Sequence, residues 1–369
     1  VVRAAVVHEV GAPVVVEEIE LAPTGPGDVL VRMAASGVCH SDLSVQKGSI
    51  PFMFPTVLGH EGAGVVVEVG ASVTRVVPGD HVVLTWMPAC RRCFWCLRGQ
   101  TMLCELGLTE ALTSPYATVR GKPIVRGLGT ATFGEFTLVP EGEVVPVDPS
   151  VPLELAALVG CALATGVGAV WNTAKVPPGS TVAVIGCGGV GLSVIQGARL
   201  AGASTIVAVD AVGSKLKTAQ SMGATAVVDA STEDPVAAVR AHTAGRGADF
   251  GFEVVGRPDT IRTAFASVRR GGTAVLVGAG SPADQVSFSA FEMFVDAKTV
   301  VGCVYGSTDA DRDFPVLVDL VRRGAVDAAG MVTRRIGLDD VNDAFRAMEA
   351  GEVARSVIVY DGGDAGREI

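Results

Sequence analysis

Residues 181–210 read TVAVIGCGGVGLSVIQGARLAGASTIVAVD, and this stretch decides the fold. An apolar run ends on Gly186-Cys187-Gly188-Gly189-Val190-Gly191, a helical pattern follows from Val190 to Ala201, and a second apolar run closes on Asp210. In such a strand–turn–helix, Gly186 ends the strand, Gly188 lets backbone approach a pyrophosphate, and Gly191 lets the helix pack on the sheet. The helix start around Gly189 and Val190 offers amides and a partial positive charge to phosphates. Asp210, nineteen residues beyond Gly191, stands where a carboxylate accepts both hydroxyls of a ribose. The same carboxylate repels a 2′-phosphate, which favours NAD over NADP. Lys215 is a weaker candidate for the adenosine ribose, with a solvated helix lysine as the plain alternative.

Outward from this unit the pattern repeats. A helix carrying Lys215 and Lys217, the run AVVDA, a helix through Arg240, ADFGFEVVG, a helix through Val268 and TAVLVGAG follow in turn. Strands alternating with helices at this interval predict a doubly wound parallel sheet of α/β class. Before about Val147 the signals are instead short β-type runs between Gly and Pro turns: Val29–Met33, Gly64–Val69, His81–Leu84 and Glu135–Val139. After about Tyr305, two helices (Phe314–Arg323 and Leu338–Ala350) precede a last strand, SVIVY, and the polar tail DGGDAGREI reads as frayed.

With 369 residues, 49% of them apolar and 46 glycines, the chain has room for two domains with their own cores. A net charge of −10 without a basic block argues against nucleic acid or an anionic membrane as partner. The N-terminal segment alternates like a strand and has no signal-peptide core, so a cytoplasmic location is expected. The charge-free run Leu155–Ala174 is long enough to span a bilayer. Its three glycines, Cys161, Thr165, Asn172 and Thr173 favour a buried helix between domains instead.

Cys90, Cys93, Cys96 and Cys104 crowd into fifteen residues as C-x2-C-x2-C-x7-C. Thiolates at this spacing can surround a tetrahedral zinc, and four protein ligands leave no place for substrate, so such a zinc is structural. Four free thiols or a disulfide pair are the alternatives. Cys39 in GVCHSD, His60 in GHEGAG and Cys161 in VGCALATG would together leave a fourth position open. Taken singly they read as core thiols and a satisfied histidine, and their wide separation cannot join them.

A resemblance does join them. The ordered set GVCHSD, GHEGAG, the four-cysteine lobe, GCALATGVGAVWNTA and GCGGVG resembles the zinc-dependent alcohol dehydrogenases of the medium-chain dehydrogenase/reductase superfamily, from about Val1 to Tyr360. Within it the chain is similar to the formaldehyde dehydrogenases and to bacterial aryl and alkyl alcohol dehydrogenases. The resemblance implies a GroES-like catalytic domain over residues 1–162, with the zinc lobe at about 88–106, then a Rossmann NAD-binding domain over 163–304. Residues 305–369 would complete the catalytic domain.

It further implies two zincs per chain: a catalytic one on Cys39, His60 and Cys161, with Glu61 behind it, and a structural one in the lobe. Asp42 would fix the His60 tautomer, and Ser41 would take the alcohol proton. Many members carry histidine three residues after this serine; here Ser44 stands there, so water would finish the relay. His40 and Arg355 would contact the pyrophosphate, Thr165 would neighbour the nicotinamide, and Val277 and Ala279 would lie near its carboxamide. Trp86 and Phe133 would line the substrate channel, with Ile50 and Leu108 at its outer mouth.

The activity implied is reversible, NAD-linked oxidation of an apolar primary alcohol to its aldehyde. The alternatives are a glutathione- or mycothiol-dependent formaldehyde dehydrogenase and a nicotinoprotein that holds NAD between turnovers; a non-enzymatic relative of this fold is a more distant one. Glutathione-linked members place an arginine shortly after the last lobe cysteine, whereas this chain reads Glu105-Leu106-Gly107-Leu108. A homodimer along the edge strands near TAVLVGAG and TVVGCVYG is expected, with a tetramer as the alternative.

Overall fold

The computed structural model describes residues 1–360, without the side chains of residues 108 and 110–112. The polar tail and the side chain of Leu108 lie outside the described residues. The chain divides into two compact units, Val1–Cys161 with Asp309–Ile369, and Ala162–Thr308. They carry the two architectures that the resemblance implies: a mainly β GroES-like unit and a Rossmann sheet.

The first unit is built on Asp28–Val38, an eleven-residue strand whose second half is wholly buried. It pairs antiparallel with Gly62–Val69 on one side and, in its first half, with Phe136–Pro140. Its second half pairs with Ser356–Val359, Val357 facing Gly37, so the end of the described chain returns to the start. Val2–Val7, Val15–Leu21, Pro115–Val119, Lys122–Arg126 and Thr56–Val57 close a small barrel beside this sheet. Val6, Ile19, Leu58, Tyr116, Ile124 and Phe133 are buried in the one apolar core that the barrel and the sheet share. Closure removes the open edges that short strands would otherwise expose.

The second unit is a six-stranded sheet in the order Ala226–Asp229, Thr205–Asp210, Thr181–Ile185, Ala248–Glu253, Val268–Leu276, Thr299–Gly302, parallel throughout. Its central strands are covered on both faces, which is why they read as unbroken Val, Ile and Ala rather than as alternation. The strand order reverses between Thr181–Ile185 and Ala248–Glu253, and ligands of such sheets bind outside the carboxyl ends at that reversal.

The charge-free run is not the single helix expected. It is broken into Leu153–Ala156, Ala157–Gly160, Ala162–Gly168 and Ala169–Thr173. Cys161, with φ −144° and ψ −69°, leaves the helical region between them. Among the described residues no single helix is long and apolar enough to cross a membrane; only Leu153–Gly160 and Ala162–Thr173 together meet that length and composition. Every residue from 157 to 168 is buried.

Candidate metal and cofactor sites

Cys39 precedes the helix His40–Gln46, His60 precedes the strand Gly62–Val69, and Cys161 sits at the helical break. Their ligand atoms nonetheless lie within 4.8 Å of one another, and all three residues are buried. Asp42, fully buried, makes the arrangement rigid. Its Oδ1 accepts from the Gly59 amide at 2.9 Å and pairs with His60 Nδ1 at 3.1 Å, while Oδ2 accepts from the Cys39 amide at 3.2 Å. A carboxylate on Nδ1 leaves Nε2 as the ring atom for a metal.

Electrostatics couple the three groups, Cys39 toward its thiolate and His60 toward its protonated form. Cys161 as a hydrogen-bond partner, then His60 and Arg355, hold the Cys39 thiol well below the usual range against the effect of burial. Burial opposes charge on His60, but Asp42 and Cys39 raise it well above the ordinary histidine value. Two sulfurs and an imidazole, one sulfur inclined to ionise, are the donor set of a zinc site with a coordination position left over.

Behind the trio lies a buried ion pair. Arg355 Nη1 is 3.0 Å from Glu61 Oε2 and donates to the Val38 carbonyl at 2.9 Å, with side-chain exposures of 5% and 0% for Arg355 and Glu61. Burial works against the Arg355 charge, but Glu61 and the two cysteines keep it raised. The pyrophosphate contact implied for Arg355 therefore competes with partners in its own unit. The Ser41 hydroxyl is 3.9 Å from the Cys39 sulfur, and His40 is exposed on the same helix start.

Trp86 stands edge-on to His60, ring centroids 6.2 Å apart at 86°. Phe133, at 0% exposure, is buried in the apolar core of the first unit, near Phe345 and against Gly59. Its apolar neighbours in the sequence give core packing and channel lining the same appearance. Ile50 is half-buried and packs on that same core.

The sulfurs of Cys90, Cys93, Cys96 and Cys104 also lie within 4.8 Å of one another. Backbone amides point at them: Cys90 N to Cys104 Sγ at 3.2 Å, Cys93 N to Cys90 Sγ at 3.3 Å, and Gly107 N to Cys104 Sγ at 3.3 Å. Amides from Cys96 and Glu105 bring the Cys93 thiol down to about 6, while burial pushes Cys96 up to about 12. Amides aimed at sulfur compensate thiolate charge, so this donor set fits a closed zinc site rather than neutral thiols. Among the described residues every cysteine is free, and no two lobe sulfurs are joined. The lobe is anchored by Arg91, whose Nη1 and Nη2 each donate to Asp309 at 2.6 Å and whose Nη2 also donates to Asp311 at 2.6 Å.

In the second unit Gly186 has φ +103°, and an added Cβ would meet Val255 Cγ2 at 2.6 Å. Gly188 caps the helix Gly189–Leu200, and a Cβ there would meet nothing within 4 Å, the open approach a pyrophosphate needs. Asp210 Oδ2 accepts from the Cys187 amide at 2.7 Å, and its Oδ1 accepts from the Val212 amide at 2.9 Å. Asp210 thus braces the glycine-rich loop, with lone pairs remaining for ribose hydroxyls. Lys215 and Val277 are half-buried, Ala279 is exposed and Thr165 is 8% exposed. These residues could hold NAD; Glu253, which the sequence did not single out, accepts from the amides of Val255 and Gly256 and, through its carbonyl, of Val277 and Gly278.

A zinc trio, a four-cysteine lobe and a dinucleotide loop define a zinc-dependent dehydrogenase. Family models agree: residues 25–149 match an alcohol dehydrogenase GroES-like domain and residues 189–323 a zinc-binding dehydrogenase. An S-(hydroxymethyl)glutathione dehydrogenase from Synechocystis sp. is 39% identical over 97% of this chain and 99% of its own. Among solved structures, an alcohol dehydrogenase zinc-binding domain protein from Burkholderia ambifaria superposes with a TM-score of 0.92 at 33% identity, over 97% and 98% of the two chains. Benzyl alcohol dehydrogenase from Acinetobacter calcoaceticus superposes with a TM-score of 0.91 at 32% identity, over 97% and 99%. The chain belongs to the zinc-dependent alcohol dehydrogenases of the medium-chain dehydrogenase/reductase superfamily, and is an NAD-linked oxidoreductase.

Proposed function

We propose that this enzyme reversibly oxidises an apolar primary alcohol, aryl or medium-chain, to its aldehyde. The observation that carries this reading is Trp86 standing edge-on to His60, an apolar wall beside the metal trio. Burying an apolar substituent there gains roughly 1.5–3 kcal/mol. A charged thiol adduct would need a cation, and the residue after Cys104 is instead Glu105, which accepts from Trp95 Nε1 at 3.0 Å.

Cys39, His60 and Cys161 would hold the zinc, which when bound makes an alcohol hydroxyl far more acidic near neutral pH. NAD, when bound, accepts the hydride. Asp42 keeps the proton on His60 Nδ1 and so fixes the ring. Ser41 Oγ, beside the Cys39 sulfur, receives the substrate proton, and water carries it onward because Ser44 has no imidazole to offer. Glu61 is held by Arg355, and the neighbouring Cys39, burial and then the Glu61 charge raise the Cys161 thiol well above its ordinary value.

A second reading, oxidation of a thiol–formaldehyde adduct, is favoured by relatives named S-(hydroxymethyl)glutathione dehydrogenase at 39% identity. Initial rates of NADH formation across benzyl-type and medium-chain alcohols, and with formaldehyde plus glutathione or mycothiol, separate the two. Turnover of the alcohols without thiol supports the first reading. Thiol-dependent formaldehyde oxidation with inactive alcohols establishes the second. NADH absorbance already present in the purified protein would point to tightly held cofactor. The reading also includes a cytoplasmic homodimer, supported by the exposed Phe291 and Phe294 near the edge strand Thr299–Gly302.

A further inference from the structure

The strands Thr181–Ile185, Ala248–Glu253 and Val268–Leu276 end side by side in the parallel sheet. Glu253, the last residue of the middle strand, is fully buried. Its Oε1 accepts from the Val255 amide at 2.8 Å, the Gly256 amide at 2.7 Å and the Thr260 hydroxyl at 2.7 Å. Its main-chain carbonyl accepts from the amides of Val277 at 2.8 Å and Gly278 at 3.0 Å. One residue therefore binds the loop 254–257 to the loop that carries Val277 and Ala279.

The two loops then meet backbone to backbone. A Cβ on Gly278 would lie 2.1 Å from the Gly256 nitrogen, and one on Gly256, where φ is +86°, would lie 2.7 Å from the Ala279 carbonyl. On the other side Val255 closes on Gly186 of the glycine-rich loop. The second carboxylate oxygen, Oε2, is buried without a hydrogen-bond partner among the described residues. A buried carboxylate left half-satisfied is costly and calls for a reason beyond packing.

We propose that Glu253 is a positioning residue for the nicotinamide half of the cofactor, holding the loops 254–257 and 277–280 in one register. The inference rests on the NAD reading of this unit. Asp210 braces the glycine-rich loop through Cys187 and Val212, so the adenosine half is organised by a different carboxylate. The two halves of the ligand should respond separately to substitution.

The test uses the zinc-loaded enzyme and two probes: NADH, followed by its fluorescence, and ADP-ribose, which lacks the nicotinamide, by competition. Glu253→Gln keeps the shape but weakens three charge-assisted bonds, so NADH affinity should fall roughly tenfold. ADP-ribose affinity should stay within about twofold, because Asp210 rather than Glu253 accepts from the Cys187 amide of the glycine-rich loop that would hold its adenosine end. Thr260→Val removes one donor and should cost NADH about threefold with ADP-ribose unchanged; it decides the matter if Glu253→Gln does not fold. Equal loss of both probes means a general structural role and overturns the proposal, as does unchanged NADH binding. Wild-type enzyme that binds neither probe would instead overturn the cofactor reading itself.

Discussion

Cys39, His60 and Cys161 are individually unremarkable, and what gives them chemistry is convergence around a buried carboxylate. Cys39→Ser should fold, keep its lobe zinc, bind NADH and lose turnover. Replacing an outer partner of a metal ligand already costs about 10–100-fold, so losing a ligand should cost more than about a hundredfold in kcat. Retained turnover in a Cys39→Ser enzyme would contradict the assignment. Asp210→Gly should weaken NAD binding roughly tenfold, since the glycine-rich loop loses a charged acceptor, and should narrow the gap to NADP. Equal wild-type kcat/KM with the two cofactors would contradict it. At this scale the sequence made the glycines and lobe cysteines legible, because their spacing is local. It left Glu253 and the Glu61–Arg355 pair unread, since both acquire meaning only where distant segments meet.

The elements were legible where a period was strong. The helix after the glycine turn runs Gly189–Leu200 and the strands of the second unit fall on the apolar runs. The run 155–174 misled because an unbroken apolar composition does not reveal where backbone turns, and Cys161 turns it. Just after that turn, Gly166 lets the helix Ala162–Gly168 touch Gly189–Leu200. A Cβ there would meet Ser193 Cβ at 2.4 Å and the Val190 carbonyl at 2.6 Å. Gly166→Ala should therefore destabilise by about 1–3 kcal/mol through overpacking, read as a lowered unfolding midpoint in urea. An unchanged midpoint would show that the helices can part freely.

A second prediction at this scale concerns acid. Asp249 joins strand starts by accepting from Thr181 N at 2.7 Å and Arg269 Nε at 2.5 Å. Burial opposes its charge, but the Thr181 and Arg269 bonds hold it below the ordinary carboxylate range. A folded value below the unfolded one, about 3.9, contributes stability that is full above that pH and lost as pH falls through the folded value. Asp249→Asn should thus show a shallower loss of stability than wild type between about pH 4 and pH 2. Parallel acid profiles for the two proteins would contradict it.

As a whole, the molecule separates its tasks: one unit carries both cysteine clusters, the other the dinucleotide loop. A homodimer through the strand Thr299–Gly302 should cover Phe291 and Phe294, exposed by 75% and 83%. Sedimentation should give twice the 37.6 kDa chain mass, and Phe294→Glu should yield monomer. A wild-type monomer would contradict it.

The account depends most on two metal sites of different kind, one closed by four thiolates and one open on three ligands. Zinc content of freshly purified, fully active protein tests it most directly: two zinc ions per chain are predicted, and one zinc per chain at full activity would contradict it.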